Sequence, residues 1–234
     1  MLGPFDYTIA ILSFCAELYL VVRLLAGRSE LRYFALATYM LAMVLGTAAQ
    51  YFFLQKFGFQ SSQYLYCYYY SDALLTIALF FVIMSFYHQV FQQMGVRKYV
   101  HGASIILLSA TAAFSYLVVH QNSNNLTTRF VVEMGRNFYF VGVVLTYLLW
   151  GAILKLKETR IRLVQLVLAL GIYYSADAAT YALRNLFPAF QPEFLKFIPP
   201  VLGAFLPLAW AYTFTKIPEE ARLLTARLAP SHQS

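Results

Sequence analysis

The chain has 234 residues, of which 61% are hydrophobic, 18% aromatic and only 12% charged. An average soluble domain is roughly 45–50% apolar and about 25% charged. The composition therefore excludes an ordinary soluble domain, and the low charge excludes a disordered chain. Eleven Gly, eight Pro and two Cys also exclude collagen-like and disulfide-scaffold classes. A mean hydropathy of +0.62 predicts an integral membrane protein.

Seven apolar segments are long enough to cross a membrane. A helix needs about 20 mostly apolar residues to span the ~30 Å hydrocarbon layer. The sequence shows no segments with the strict alternation of transmembrane β-strands, so it predicts an all-α, polytopic seven-helix bundle over residues 1–216. The predicted spans are 5–26, 31–55, 64–91, 101–120, 129–154, 161–186 and 195–216.

Residues 217–234 follow the last span as a short tail. Pro218 suits a first helical turn, and Glu219 and Glu220 complement the positive end of a helix dipole. Apolar side chains then recur at helical spacing, namely Ile217, Ala221, Leu224 and Leu228. The pattern predicts a short amphipathic helix at the membrane interface. The alternative is a tail that only its charges hold at the membrane.

Basic residues are unequally divided between the two sides of the predicted bundle. Twelve lie at the first, third and fifth connections and in the tail: Arg23, Arg28, Arg32, Arg97, Lys98, Lys155, Lys157, Arg160, Arg162, Lys216, Arg222 and Arg227. Five lie on the other side: Lys56, Arg129, Arg136, Arg184 and Lys196. Since Lys and Arg are retained in the cytoplasm, we expect an outside N-terminus and a cytoplasmic C-terminus.

The net charge of +7 follows from this asymmetry. Anionic lipid of the inner leaflet accounts for it, and no nucleic-acid partner is needed. We expect the protein in the cell membrane, which is the inner membrane if the host is bacterial.

A shift of 130 residues lays span 1 on span 5, span 2 on span 6 and span 3 on span 7 without a gap. Parallel repeats of this kind occur in small transporters. Few identical residues accompany the shift, and seven helices with similar loops align in length in any case. The arrangement of three, one and three helices is therefore a hypothesis.

Charged side chains within the spans are the strongest functional signal. A charge at the centre of a membrane helix costs about 2.5–3.5 kcal/mol by insertion scales, so it usually faces the protein interior and is paired. Glu17 lies near the middle of its span, and the other such groups lie in the outer half. The candidate ligand-binding or proton-relay residues are Glu17, Asp72, Glu133, Arg136, Asp177, Tyr181 and Arg184.

These residues share helical faces, and two interpretations remain open. Span 5 carries Arg129, Glu133 and Arg136 on one face, and span 6 carries a stripe of Tyr174, Asp177, Tyr181 and Arg184. They could line a pocket that takes a small polar ligand from the outer side, or relay protons with Glu17. Alternatively, Glu133 pairs with Arg129 or Arg136, Asp177 pairs with Arg136 or Arg184, and the network only locks the bundle.

Prolines mark the last span. Pro199, Pro200 and Pro207 each remove a backbone donor and clash one turn earlier. They predict a bent or locally unwound span 7, which serves either as a hinge or as a static kink that improves packing.

No nucleophile stands with a base and an orienting group, and the histidines lie at the ends of spans or in the tail. We therefore expect no catalytic activity, no metal and no cofactor. The favoured function is a non-enzymatic binding, sensing or accessory subunit of a larger membrane assembly. Its expected partners are the lipid bilayer and another membrane protein or a second copy of the chain. The alternative is a small-solute or proton-coupled transporter.

Overall fold

A computed structural model describes residues 4–26, 32–92, 97–120, 126–186 and 198–222. These residues form seven α-helices: α1 (Pro4–Ala26), α2 (Phe34–Phe57), α3 (Ser62–Val90), α4 (Arg97–His120), α5 (Leu126–Lys155), α6 (Ile161–Leu186) and α7 (Ile198–Lys216). Each coincides with a predicted span to within four residues at either end. The described residues contain no strand beyond one isolated bridge between Arg160 and Arg222. The predicted all-α class is confirmed.

Six of the seven helices are long and apolar enough to cross a membrane, and they indicate an integral membrane protein. In the seventh, α4, the apolar stretch among the described residues is Gly102–Leu117. Large apolar side chains cover much of the outside of the bundle; Leu154 and Ile106, for example, are 70% and 69% exposed. Such a surface suits contact with lipid rather than water.

Six helices close into a ring. Around it, α1 packs on α2, α2 on α3, α3 on α5, α5 on α6, α6 on α7, and α7 returns to α1. The remaining helix, α4, packs on α5 and less extensively on α3. It therefore lies outside the six-helix ring, over the seam between α3 and α5.

Large side chains from all six helices fill the ring. Five large aromatic side chains are at most 2% exposed: Trp210, Tyr174, Phe80, Phe86 and Phe138. The indole of Trp210 packs edge-on to the Tyr39 ring at 6.0 Å and donates from Nε1 to the carbonyl of Leu166 at 3.2 Å. The ring is thus a packed core, and α7 is tied to both α2 and α6.

The closest approach of α5 and α6 depends on Gly142. A β-carbon at this position would overlap the phenol ring of Tyr174, which is 1% exposed. Only glycine leaves room there for the ring. This contact also sets the position of Tyr174 against Tyr139, whose ring lies edge-on to it at 6.0 Å.

The two ends of the bundle differ in how they are held. The turn of residues 58–61 joins α2 to α3 and marks what we call the Gly58 end. Gly58 has a φ of +79°, a left-handed conformation that glycine adopts without strain. The turn of residues 156–160 joins α5 to α6 and marks the opposite, Arg160 end.

Side chains and main-chain carbonyls are linked across the Arg160 end. Arg160 donates to both carboxylate oxygens of Glu158, at 2.9 and 2.6 Å, and to the main-chain carbonyl of Gln89 at 2.7 Å. The Gln89 side chain donates in turn to the carbonyl of Arg32 at 3.0 Å. The start of α2, the end of α3 and the α5–α6 turn are therefore joined at one level. Hydrogen bonds from Arg160 hold the pKa of Glu158 below its usual range.

The segment after α7 joins the same end, and it differs from the predicted tail helix. Residues 217–222 form a turn with the isolated bridge to Arg160, rather than the first turn of a helix. The carboxylate of Glu219 pairs with Arg32 at 2.5 Å, and Arg162 donates to the carbonyl of Ile217 at 3.0 and 2.5 Å. The Glu219 carboxylate and the Ile217 carbonyl, which could have stabilised the first turn of a helix, thus make tertiary contacts instead. Leu224 and Leu228 lie outside the described residues.

The prolines of span 7 occupy two different places. Pro199 and Pro200 fall in the first turn of α7, where an N–H would have no helical partner and proline is tolerated. At these positions they remove no hydrogen bond within α7, and the part of the predicted span before Ile198 lies outside the described residues. Pro207 lies inside the helix and is buried, and α7 continues through it as one helix from Ile198 to Lys216.

Candidate functional site

Polar side chains from three helices meet inside the six-helix ring. We call Asp72 and Thr76 of α3, Tyr139 of α5, and Tyr173 and Asp177 of α6 the interior polar cluster. Thr76 lies one turn after Asp72 on the same face, and its hydroxyl donates to the Asp72 carbonyl at 2.8 Å. Asp72 comes close to α5, since a β-carbon at Gly135 would lie 3.8 Å from its Oδ2.

Tyr139 is the centre of the cluster. Its hydroxyl lies 3.5 Å from that of Tyr173, and it is within electrostatic range of both Asp72 and Asp177. The Tyr139 hydroxyl thus contacts α6 through Tyr173 and interacts electrostatically with the carboxylate on α3. Tyr139, Tyr173 and Thr76 do not stand out in the sequence, because the chain has nineteen tyrosines and hydropathy does not separate one from another.

The two aspartates of the cluster are within electrostatic range of each other. They come from α3 and α6, which are separated in the ring by α5. Two carboxylates in a low-dielectric interior repel, and a proton or a cation between them lowers the free energy of the pair. The arrangement is therefore chemically suited to holding a small positive species. Asp177 has a further interaction, so it is not an isolated charge.

Glu133 and Arg136 form an ion pair along α5, at i and i+3. This confirms one of the two pairings predicted for Glu133; the other candidate, Arg129, has its side chain outside the described part of the structure. Arg136 is 37% exposed, so the pair lies at the margin of the ring rather than in its interior. The Arg136 guanidinium is thus already shared with a carboxylate.

Arg136 and Asp177 border one small cleft between α5 and α6. Its other lining residues are Tyr139, Phe140 and Ala178, and its volume is about 10 Å³. A water molecule needs roughly 10–15 Å³. In this conformation the cleft therefore takes one water or a small ion, and not an organic ligand of the size of an amino acid or a sugar.

Glu17 lies apart from the other candidate residues, which are in the outer half of their spans. It lies on α1, is 3% exposed, and accepts a hydrogen bond from Ser13 at 2.8 Å. Tyr39 of α2 is within electrostatic range of both Glu17 and Asp72. Glu17 is thus connected to the interior polar cluster only at a distance, through the buried side of α2.

Two other predicted residues, Tyr181 and Arg184, lie on α6 beyond Asp177, but their side chains are outside the described residues. Tyr174, the first member of that stripe, packs on Gly142 in the core.

A larger groove lies on the outside of the bundle between α5 and α6. Its volume is about 550 Å³, and its lining residues are Thr146, Tyr147, Trp150, Leu168, Gly171, Ile172, Ser175 and Ala176. The hydroxyls of Tyr147 and Ser175 lie 3.2 Å apart at its edge. Tyr147, Leu168 and Ile172 are exposed, so this groove faces the surroundings of the bundle and is chemically unlike the interior polar cluster.

The described residues include no group of three or more His, Cys, Asp or Glu that could together hold a metal ion. No protein family, curated protein or solved structure matches the chain.

Proposed function

We propose that the protein crosses the cell membrane seven times, with the Gly58 end outside and the Arg160 end in the cytoplasm. The basic residues support this orientation, because Arg32, Arg160, Arg162 and Arg222 meet at the Arg160 end. Lys and Arg are retained on the cytoplasmic side of a membrane. The seventh span in this proposal is α4, in which the apolar stretch among the described residues is Gly102–Leu117.

Within that orientation, the protein acts as a non-enzymatic binding or sensing protein that takes a small cation from the outside. The observation that carries this function is that two carboxyl groups from different helices lie against α5: Asp177 borders one cleft with Tyr139, and Asp72 Oδ2 lies beside Gly135. Asp72 lies ten residues after the start of α3 at Ser62, and Asp177 lies nine before the end of α6 at Leu186. Both are thus in the half nearer the Gly58 end, where an ion enters from outside.

Thermal unfolding of the purified protein tests the binding. Midpoints are compared in sodium, potassium and methylammonium chloride against N-methyl-D-glucamine chloride at equal ionic strength. A ligand at 100 times its Kd stabilises a protein by about 2.7 kcal/mol, so a bound cation raises the midpoint by several degrees. Asp72→Asn removes this rise because it removes one of the two carboxylates.

The matched control is Glu220→Gln, which removes an exposed carboxylate at the other end of the bundle. It keeps the rise seen in the unchanged protein. Equal midpoints in all four salts, or a rise that survives in Asp72→Asn, contradict the proposed site.

A sensing protein of this kind passes its signal to a partner, and we propose another membrane protein or a second copy in that role. The support is the architecture: the described turns at 58–61 and 156–160 are short, so helix faces form most of the surface. Purification in mild detergent checks this proposal. A protein that always elutes as a single chain, with no second chain bound, contradicts it.

Transport is the second candidate function, and the position of α4 favours it. With α4 outside, the first three and last three helices make up the ring, and the α3–α5 seam corresponds to the α7–α1 seam. Parallel repeats of three helices form substrate sites in small transporters. Uptake of labelled methylammonium into proteoliposomes tests this alternative; uptake that is unchanged by Asp72→Asn and Asp177→Asn excludes it.

A further inference from the structure

A second buried carboxyl lies away from the interior polar cluster, on the first helix. Glu17 is 3% exposed and stands beside Ala16, with Leu20 one turn further along; both are buried. The helix that carries it, α1, is packed between α2 and α7. The cation proposed at Asp72 makes no use of this group.

The hydrogen bonding of Glu17 is incomplete. Ser13 donates to Oε1 at 2.8 Å, whereas Oε2 is buried and has no hydrogen-bond partner among the described residues. Of the ion pairs between described residues, none includes Glu17. An ionised carboxylate would have two oxygens to satisfy, and here one donor is supplied.

The helices packed on α1 bring no described positive charge to Glu17. On α2 the buried titratable group is Tyr39, which is within electrostatic range of Glu17. The other titratable side chains of α2 and α7 are all exposed: Tyr51, Lys56, Tyr212 and Lys216. On α1 itself, Cys15, Tyr19 and Arg23 are exposed as well. A negative charge at Glu17 would therefore be uncompensated.

An uncompensated charge in an apolar interior costs far more free energy than the neutral form of the same group. We propose that Glu17 is a membrane-embedded proton-binding site that carries its proton at neutral pH. The proton neutralises the carboxyl where α1 meets α2 and α7, and the packed seam needs no cation there. This site does not depend on cation binding at Asp72.

The proton also links Glu17 to the packing of α1. When it leaves, the carboxylate requires further hydrogen-bond donors or a positive charge, whereas Ser13 is the one described donor to it. Tyr39 is within electrostatic range of Asp72 as well. A change of charge at Glu17 therefore changes the electrostatic potential at Tyr39 on the buried side of α2. Through the same region it affects the interior polar cluster, although more weakly.

Infrared spectroscopy of the full chain in lipid vesicles tests the proposal. A protonated carboxylic acid has a C=O stretching band separate from that of a carboxylate and of the amide groups. We expect this band at neutral pH in the unchanged protein, shifted in D₂O, and absent in Glu17→Gln. Glu133→Gln is the matched control: its carboxylate is paired with Arg136, so the band persists.

Asp72→Asn separates this proposal from the proposed function. It abolishes the cation-dependent stabilisation but leaves the band of Glu17 in place. Spectra of Glu17→Gln and the unchanged protein that superimpose in this region overturn the proposal. Glu17→Gln replaces a neutral acid by a neutral amide of similar shape, and it is expected to fold. Failure of this variant to fold shows that the charge is needed, and also overturns the proposal.

Discussion

Arg160 donates a hydrogen bond from Nη2 to the main-chain carbonyl of Gln89, 71 positions earlier in the chain, at 2.7 Å. The same guanidinium is held by Glu158, whose side chain is 12% exposed against 17% for Arg160. One side chain thus joins the end of α3 to the turn that leads into α6. Arg160 donates three hydrogen bonds, two to Glu158 and one to Gln89, at a site with limited access to water. Removing a partner there costs more free energy than at an exposed site.

Arg160→Ala is therefore expected to destabilise the bundle by about 2–3 kcal/mol, because it leaves Glu158 charged, largely buried and without its cation. Arg160→Lys keeps the charge but loses the planar fork, and its effect is intermediate. The free energy of unfolding in detergent measures both. Lys155→Ala, which changes an exposed cation at the end of α5 next to that turn, is the control. Equal stabilities of Arg160→Ala and Lys155→Ala contradict the prediction.

Acid is expected to remove the contribution of Glu158. Hydrogen bonds from Arg160 lower its pKa in the folded protein. A carboxyl with a lowered folded pKa contributes stability above its unfolded value, about 4.3, and this stability is lost as the pH falls through the folded pKa. Glu158→Gln lacks the contribution at all pH values. The midpoint of the unchanged protein should thus exceed that of Glu158→Gln at pH ~7 and approach it below pH ~4; a constant difference is the opposing result.

Gly142→Ala is expected to cost about 1–3 kcal/mol, the usual range for an overpacked core. Its new methyl group would overlap the Tyr174 ring, which is buried and cannot move away freely. The control lies on the same helix: Gly151→Ala meets no atom within 4 Å and is expected to be neutral or slightly stabilising, since alanine favours helix. Thermal midpoints of the two variants decide the matter, and a smaller loss in Gly142→Ala than in Gly151→Ala would falsify it.

The proposed orientation is open to a labelling experiment. Cys15 and Cys67 are first changed to Ser, which leaves no native thiol. Gln60→Cys then places a thiol on an exposed turn at the Gly58 end, and Glu220→Cys places one at the Arg160 end. A membrane-impermeant maleimide added to whole cells should label Gln60→Cys at once and Glu220→Cys only after permeabilisation. The reverse pattern would show that the chain is inserted the other way.

Apolar length predicts the helices well, and it predicts little else. A segment either is or is not long enough to cross the hydrocarbon layer, so the seven predicted spans match α1–α7 closely. Which helices touch depends instead on the shapes of side chains. Side-chain packing places α4 outside the ring and brings Tyr174 against Gly142. The hydropathy of the sequence predicts neither arrangement.

The candidate site shows the same division. Charged residues within spans are rare, so Asp72, Asp177 and Glu17 stand out in the sequence. Tyr139 and Tyr173 do not, although they complete the interior polar cluster. Residues 217–222 do not form the predicted first helical turn for a related reason: helical spacing after Pro218 is a local signal, whereas Glu219 is held by Arg32, 187 positions away.

The seam between α1 and α7 has a consequence for how the protein is made. Of the seven helices, α1 is synthesised before the others and α7 after them, and the two meet where Tyr19 Oη lies 2.9 Å from Thr215 Oγ1. Until α7 leaves the ribosome, the face of α1 that packs on it is exposed to lipid or to the insertion machinery. The ring of helices therefore closes only after α7 has been inserted.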